Sequence, residues 1–175
     1  TNKDLPSWDW MGGTNAGYNY SVIQDAIDAA AAGECILVAP GTYTERLQMR
    51  EDIGLRGTGG SDETFLVTSR SPAINVEFDQ KRALVVVSGF TVVMNKSVPS
   101  GRGIEVSSSD VALTDMVFEN FVMGVRLYDT EGSFQDLTLT DNSYGVLVNE
   151  GSDIWLQDVL ISSHLGQGIS VTDSA

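Results

Sequence analysis

Positive charge is scarce in this chain. Ten Lys and Arg stand against 24 Asp and Glu, a formal charge of −14 at pH 7. A nucleic-acid binder neutralises phosphates with Lys and Arg, so that class is excluded, as is docking on an anionic membrane surface. Cations, neutral sugars and a basic partner stay compatible, and so does a surface charged only for solubility. Cysteine occurs once, at Cys35, which rules out an intrachain disulfide. In the run Cys35-Ile36-Leu37-Val38 the thiol reads as a small buried hydrophobe rather than a nucleophile. No stretch approaches the ~20 apolar residues of a membrane span, so no membrane insertion is expected. Four prolines against 18 glycines point to many turns and few rigid linkers. No secretory leader is legible and the chain starts with Thr, so the expectation is a removed leader or a piece cut from a longer protein.

What is present is enough apolar material for one continuous core, 42% of 175 residues, in an ordinary single domain. The dominant pattern is an internal repeat. Gly103-Ile104-Glu105-Val106 recurs as Gly124-Val125-Arg126-Leu127, Gly145-Val146-Leu147-Val148 and Gly168-Ile169-Ser170-Val171, at intervals of 21, 21 and 23 residues. The second and fourth places are apolar, as in a short strand with one face inward. A second register keeps step: Thr114-Asp115-Met116-Val117-Phe118, Gln135-Asp136-Leu137-Thr138-Leu139 and Gln157-Asp158-Val159-Leu160-Ile161. A further short strand precedes each. Identical repeats of three strands cannot alternate direction. They coil, and like residues stack ~4.8 Å apart. The pattern extends back through Val85, Val87, Phe90 and Val92, Ile74 and Val76, and Ile53 to Gly57, to a first coil at Ile36-Leu37-Val38. Insertions are expected near 79–83 and 94–102.

One good helix precedes the coils. Ser21 and Gln24 read as a capping box, with Ile23, Ala26, Ile27 and Ala30 as an apolar stripe and Gly33 as the stop. The helix is expected over about 21–32, closing the open end of the core. Residues 1–19, rich in aromatics from Trp8 to Tyr18, are expected to pack on this cap formed by residues 20–33, ahead of the coils of 34–175.

Tyr20 to Ala30, then Ile36-Leu37-Val38-Ala39-Pro40-Gly41-Thr42-Tyr43-Thr44-Glu45, then Ile53-Gly54-Leu55-Arg56-Gly57 together resemble the N-terminal segment of the pectin lyase-like superfamily and the NosD-like repeat proteins. Pro40 and Gly41 make a turn that lets Tyr43 pack at the edge of the first coil. The expected fold is an all-β, right-handed single-stranded parallel β-helix with an N-terminal capping α-helix. The resemblance implies an extracellular or cell-surface setting and carbohydrate as partner. It does not imply an activity, because the fold hosts enzymes and adhesins alike. The Asp-Pro-His-Asp of alginate epimerases is absent. The pairs Gln135-Asp136 and Gln157-Asp158 echo a pectin methylesterase motif only as repeat positions.

Chemistry-bearing residues are few. Arg126 stacks over Glu105 on the outer face of the first strands, as a cross-strand ion pair or as catalytic or sugar-binding groups. His164, in an exposed turn, is a weaker catalytic candidate. Trp155 projects outward as a sugar platform or beneath a neighbouring domain, and Tyr128 and Asn149 join it as candidate ligand-binding residues. Asp115, Asp136 and Asp158 stack at one turn, where they cap backbone groups or share calcium. A second acidic group, Asp129, Glu131, Glu150 and Asp153, falls in turns. The expected function is a non-catalytic structural or carbohydrate-recognition module. The alternative is a lyase or epimerase working around Glu105, Arg126, Tyr128 and Asn149. The repeat has no closing coil after Gly168, so further coils or another chain are expected at that end.

Overall fold

The computed structural model describes residues 20–78, 83–149 and 151–172. The chain is a right-handed parallel β-helix of about six turns, with one short helix, α1 (Ile23–Ala29), ahead of the strands. The first coil holds β1 (Cys35–Val38), β2 (Gly41–Tyr43) and β3 (Leu47–Gln48), and the second holds β4 (Gly54–Gly57), β5 (Thr64–Thr68) and β6 (Ile74–Glu77). Each later coil has one long and one short strand: β7 (Leu84–Met94) with β8 (Arg102–Ser107), β9 (Asp110–Glu119) with β10 (Met123–Tyr128), β11 (Glu131–Thr140) with β12 (Tyr144–Val148), and β13 (Asp153–Ser162) with β14 (Ile169–Val171).

The three expected strands per coil are therefore merged in the later coils. The second and third run on as one strand, bent at a single residue in the left-handed region: Gly89 (φ 73°), Asp115 (52°), Asp136 (52°) and Asp158 (52°). Gly takes this conformation without penalty, and Asp tolerates it better than most residues. Two more corners follow the same rule, at Ser108 and Asp129 and at Asn120, Asp141 and Ser163. The polar repeat positions thus turn the coil.

All pairing is parallel, and the inward columns lie in the expected register. Leu47, Ile74, Ile104, Val125, Val146 and Ile169 pair in sequence, as do Val76, Val106, Leu127, Val148 and Val171. The first column is fully buried from Leu47 to Val146, and the second from Val76 to Val148. The glycine that heads each first strand allows close stacking. A methyl on Gly103 would lie 2.5 Å from the Gly124 carbonyl oxygen and 2.6 Å from the Phe118 ring.

The helix meets β1 and β3 of the first coil, and Ile23 and Ile27 enter the common core, so it closes that end as expected. Its capping differs from the expectation. Val22 is the N-cap and no side chain of its own caps it. Instead the Glu45 carboxylate accepts from the backbone N–H of Ile23 at 2.9 Å and of Gln24 at 3.0 Å. Gln24 is held by Gln48, accepting from its N–H at 2.8 Å and donating to its carbonyl at 3.1 Å. At the other end Arg50 donates to the carbonyls of Ile27, Asp28 and Ala30. The helix ends at Ala29, four residues before Gly33. The N-terminal segment 1–19 and most of the 79–83 insertion lie outside the described residues, while the second insertion is the connection between β7 and β8.

Candidate functional site

The outer face of the sheet formed by β3, β6, β8 and β10 carries a polar ladder. Gln48, Asn75, Glu105 and Arg126 occupy successive positions, and Asn75 donates to Gln48 Oε1 at 2.9 Å. Glu105 is clamped by two arginines: Oε1 lies 2.9 Å from Arg126 Nη1 and Oε2 lies 3.1 Å from Arg102 Nε. The Arg102 Nε contact is close but not directed as a hydrogen bond. The expected ion pair is thus present, with Arg102 as a third member. Both carboxylate oxygens are engaged by arginines, so Glu105 serves the ion-pair cluster of this face. Tyr128 is exposed at the end of β10, and Asn149 accepts from the Thr172 hydroxyl at 2.8 Å.

His164 does not join this face. Contrary to the exposed turn position expected for it, its ring is half-buried, with Nδ1 2.9 Å from the Asn142 carbonyl oxygen and Nε2 enclosed without a partner. The reason lies one coil back. Asn142 is fully buried, accepting from Phe121 N–H and donating to the Phe118 carbonyl, and His164 stacks on that inward turn.

The stacked aspartates do share one corner, but their oxygens are used separately. Asp115 accepts from the Ser61 hydroxyl at 2.6 Å and the Ser61 N–H at 3.1 Å. Asp136 and Asp158 accept from their neighbours Gln135 and Gln157. Among the described residues no three His, Cys, Asp or Glu side chains converge as metal ligands.

A concavity lies on the outer face of the long strands. A cavity of about 500 Å³ is lined by Leu84, Asp110, Ala112, Glu131, Ser133, Asp153 and Trp155, with Val111, Gly132 and Ile154 beneath. The pairing explains it. One outward row runs Val86, Ala112, Ser133, Trp155 and the other Leu84, Asp110, Glu131, Asp153. Short side chains in the middle of the first row leave a hollow, and Trp155, 43% exposed, stands at its end. Glu131 and Asp153 thus open strands rather than sit in turns, while Asp129 is a corner residue; Glu150 lies outside the described residues. Asp110 was missed in the sequence, although its place two residues before Ala112 matches Glu131 before Ser133 and Asp153 before Trp155. Tyr128 and Asn149 are not part of this cavity. Cys35 belongs to the outer row and packs with Val86, Ala112 and Leu84 rather than in the main core. Burial pushes its thiol up from the ordinary value, with Arg56 opposing, which keeps it protonated.

No protein-family model matches the chain, and no curated protein matches it in sequence. Solved structures do. Pectin methylesterase PemA from Erwinia chrysanthemi is 16% identical with a TM-score of 0.58, covering 81% of this chain and 53% of that one. The chain has the pectin lyase-like fold. A pectin methylesterase in complex with hexasaccharide VII aligns at 17% identity, TM-score 0.58 and the same coverage. A pectin methylesterase mutant in complex with hexasaccharide IV aligns at 15% identity and TM-score 0.50, covering 78% of this chain and 54% of that one. The chain spans about half the length of these pectin lyase-like enzymes.

Proposed function

We propose that this chain is a non-catalytic carbohydrate-recognition module, working in an extracellular or cell-surface setting, and that the Trp155 cavity is its binding site. The observation that carries the reading is Trp155 itself. It is a large, half-exposed aromatic at the end of a hollow of about 500 Å³, on β13 where that strand pairs with β11. Sugar rings present apolar faces that stack on such a surface, and a preformed concavity with a few polar groups is the usual form of a binding site. Pectin methylesterases of this fold were solved in complex with hexasaccharides; the residues of this chain carry the proposal.

The alternative, a lyase or epimerase at Glu105 and Arg126, is weakened by the two arginines on Glu105 and by the position of His164 under the last turn. Calorimetric titration with a panel of neutral and charged oligosaccharides tests the proposal. Trp155→Ala is expected to weaken binding about tenfold, which is about 1.4 kcal/mol, with circular dichroism unchanged. Unaltered binding by Trp155→Ala refutes this site.

A further inference from the structure

We propose that the Trp155 cavity selects sugars bearing free, protonated amino groups, of the glucosamine type, over neutral and uronate sugars. This rests on the carbohydrate reading above and names its ligand class.

The argument starts from charge. Asp110, Glu131 and Asp153 form one row across three adjacent strands, ~4.8 Å apart per strand, along one side of the cavity. Among the described residues no Lys or Arg lines it. A uronate there would bring like charge beside these carboxylates, whereas an ammonium group would meet opposite charge and the accepting oxygens of Asp110 and Asp153. A second concavity of about 160 Å³ lies on the other side of the row and shares Asp110 and Glu131, adding Asp129. Asp110 and Glu131 thus stand between the two hollows.

The second strand of the argument is shape. The floor is made by Ala112 and Ser133, and Trp155 closes one end. A flat ring with one apolar face and a cationic substituent at its edge meets the indole and the carboxylates together. A basic peptide offers charge without a flat apolar ring face. Among the described residues β13, which carries Asp153 and Trp155, is the last strand of its sheet, so peptide addition at that edge is one outcome of the test. The carboxylates are partly or fully exposed, so the preference must weaken with salt.

The test compares oligomers of equal length by calorimetry, at a pH where glucosamine amines are charged: glucosamine, N-acetylglucosamine and galacturonate oligomers, at low and high salt. The glucosamine oligomer is expected to bind at least about tenfold more tightly than the other two, with the margin shrinking in high salt. Asp110→Asn/Asp153→Asn should erase the margin while keeping residual binding, and Trp155→Ala should weaken binding of every oligomer. Equal binding of the N-acetylated oligomer overturns the amino-sugar inference and leaves carbohydrate recognition standing. A margin that survives in the Asn double variant also overturns it, because diffuse attraction to a −14 chain is then the cause. No binding of any oligomer overturns the carbohydrate reading. Oligolysine bound with the same dependence on Asp110, Asp153 and Trp155 would identify a basic peptide as the ligand and overturn the inference.

Discussion

Asp136 shows how a repeated residue earns its place twice over. Its backbone takes φ 52° at the corner of β11, and its carboxylate accepts from Gln135. The left-handed conformation costs an ordinary residue about 1–2 kcal/mol, and a β-branched side chain suffers most there. Asp136→Val is therefore expected to lose about 1–2 kcal/mol in urea unfolding, while Asp136→Gly and Asp136→Asn stay near the parent. The same variants address calcium. Chelation is expected to leave the melting temperature of the parent and of Asp136→Asn unchanged. A chelator-dependent drop that vanishes in Asp136→Asn would show that the stacked carboxylates hold a shared cation. The Asp column itself was legible in the repeat, because Asp115, Asp136 and Asp158 recur in phase. Its purpose was not, because a residue spacing does not report φ.

At the scale of elements, the helix shows where local pattern and tertiary contact part. Ser21 and Gln24 have the spacing of a capping box, yet Gln24 is engaged by Gln48 in β3 and the helix N-terminus by Glu45 from the loop before it. A carboxylate there meets two unpaired N–H groups and the positive end of the helix dipole. Glu45 lies 22 residues from Ile23, so no local signature could reveal it. The apolar stripe, in contrast, was fully legible, since burial of Ile23 and Ile27 follows directly from helical spacing. Two variants separate these contributions in thermal or urea unfolding. Glu45→Ala is expected to cost about 0.5–2 kcal/mol, as for loss of a cap. Ile27→Ala, at a site with no exposure, is expected to cost about 2–5 kcal/mol. Near-parent stability of Ile27→Ala would mean that the helix does not seal the core.

Taken as a whole molecule, the β-helix is one core shared by every coil, and its inward columns were readable because a solenoid repeats the same burial at the same phase. The cavity was less readable. Trp155 stood out, but the hollow depends on Ala112 and Ser133 being short beneath neighbouring rows, and that comes from pairing across coils. The same columns lead to a final expectation. Val146 and Val148 are buried, whereas their partners in the next coil, Ile169 and Val171, are 45% and 71% exposed. Leu160 and Leu165 nearby are 58% and 84% exposed, and among the described residues β13 and β14 are the last strands of their sheets. An exposed apolar edge with unpaired backbone groups is a template for pairing. The isolated 175-residue chain is therefore expected to associate as its concentration rises, seen by light scattering coupled to size exclusion. Lysine on a strand edge opposes such pairing, so Ile169→Lys/Val171→Lys should restore the monomer and leave the melting temperature close to the parent's, because neither side chain is buried. A parent chain that stays monomeric at high concentration would show that this edge does not mediate association.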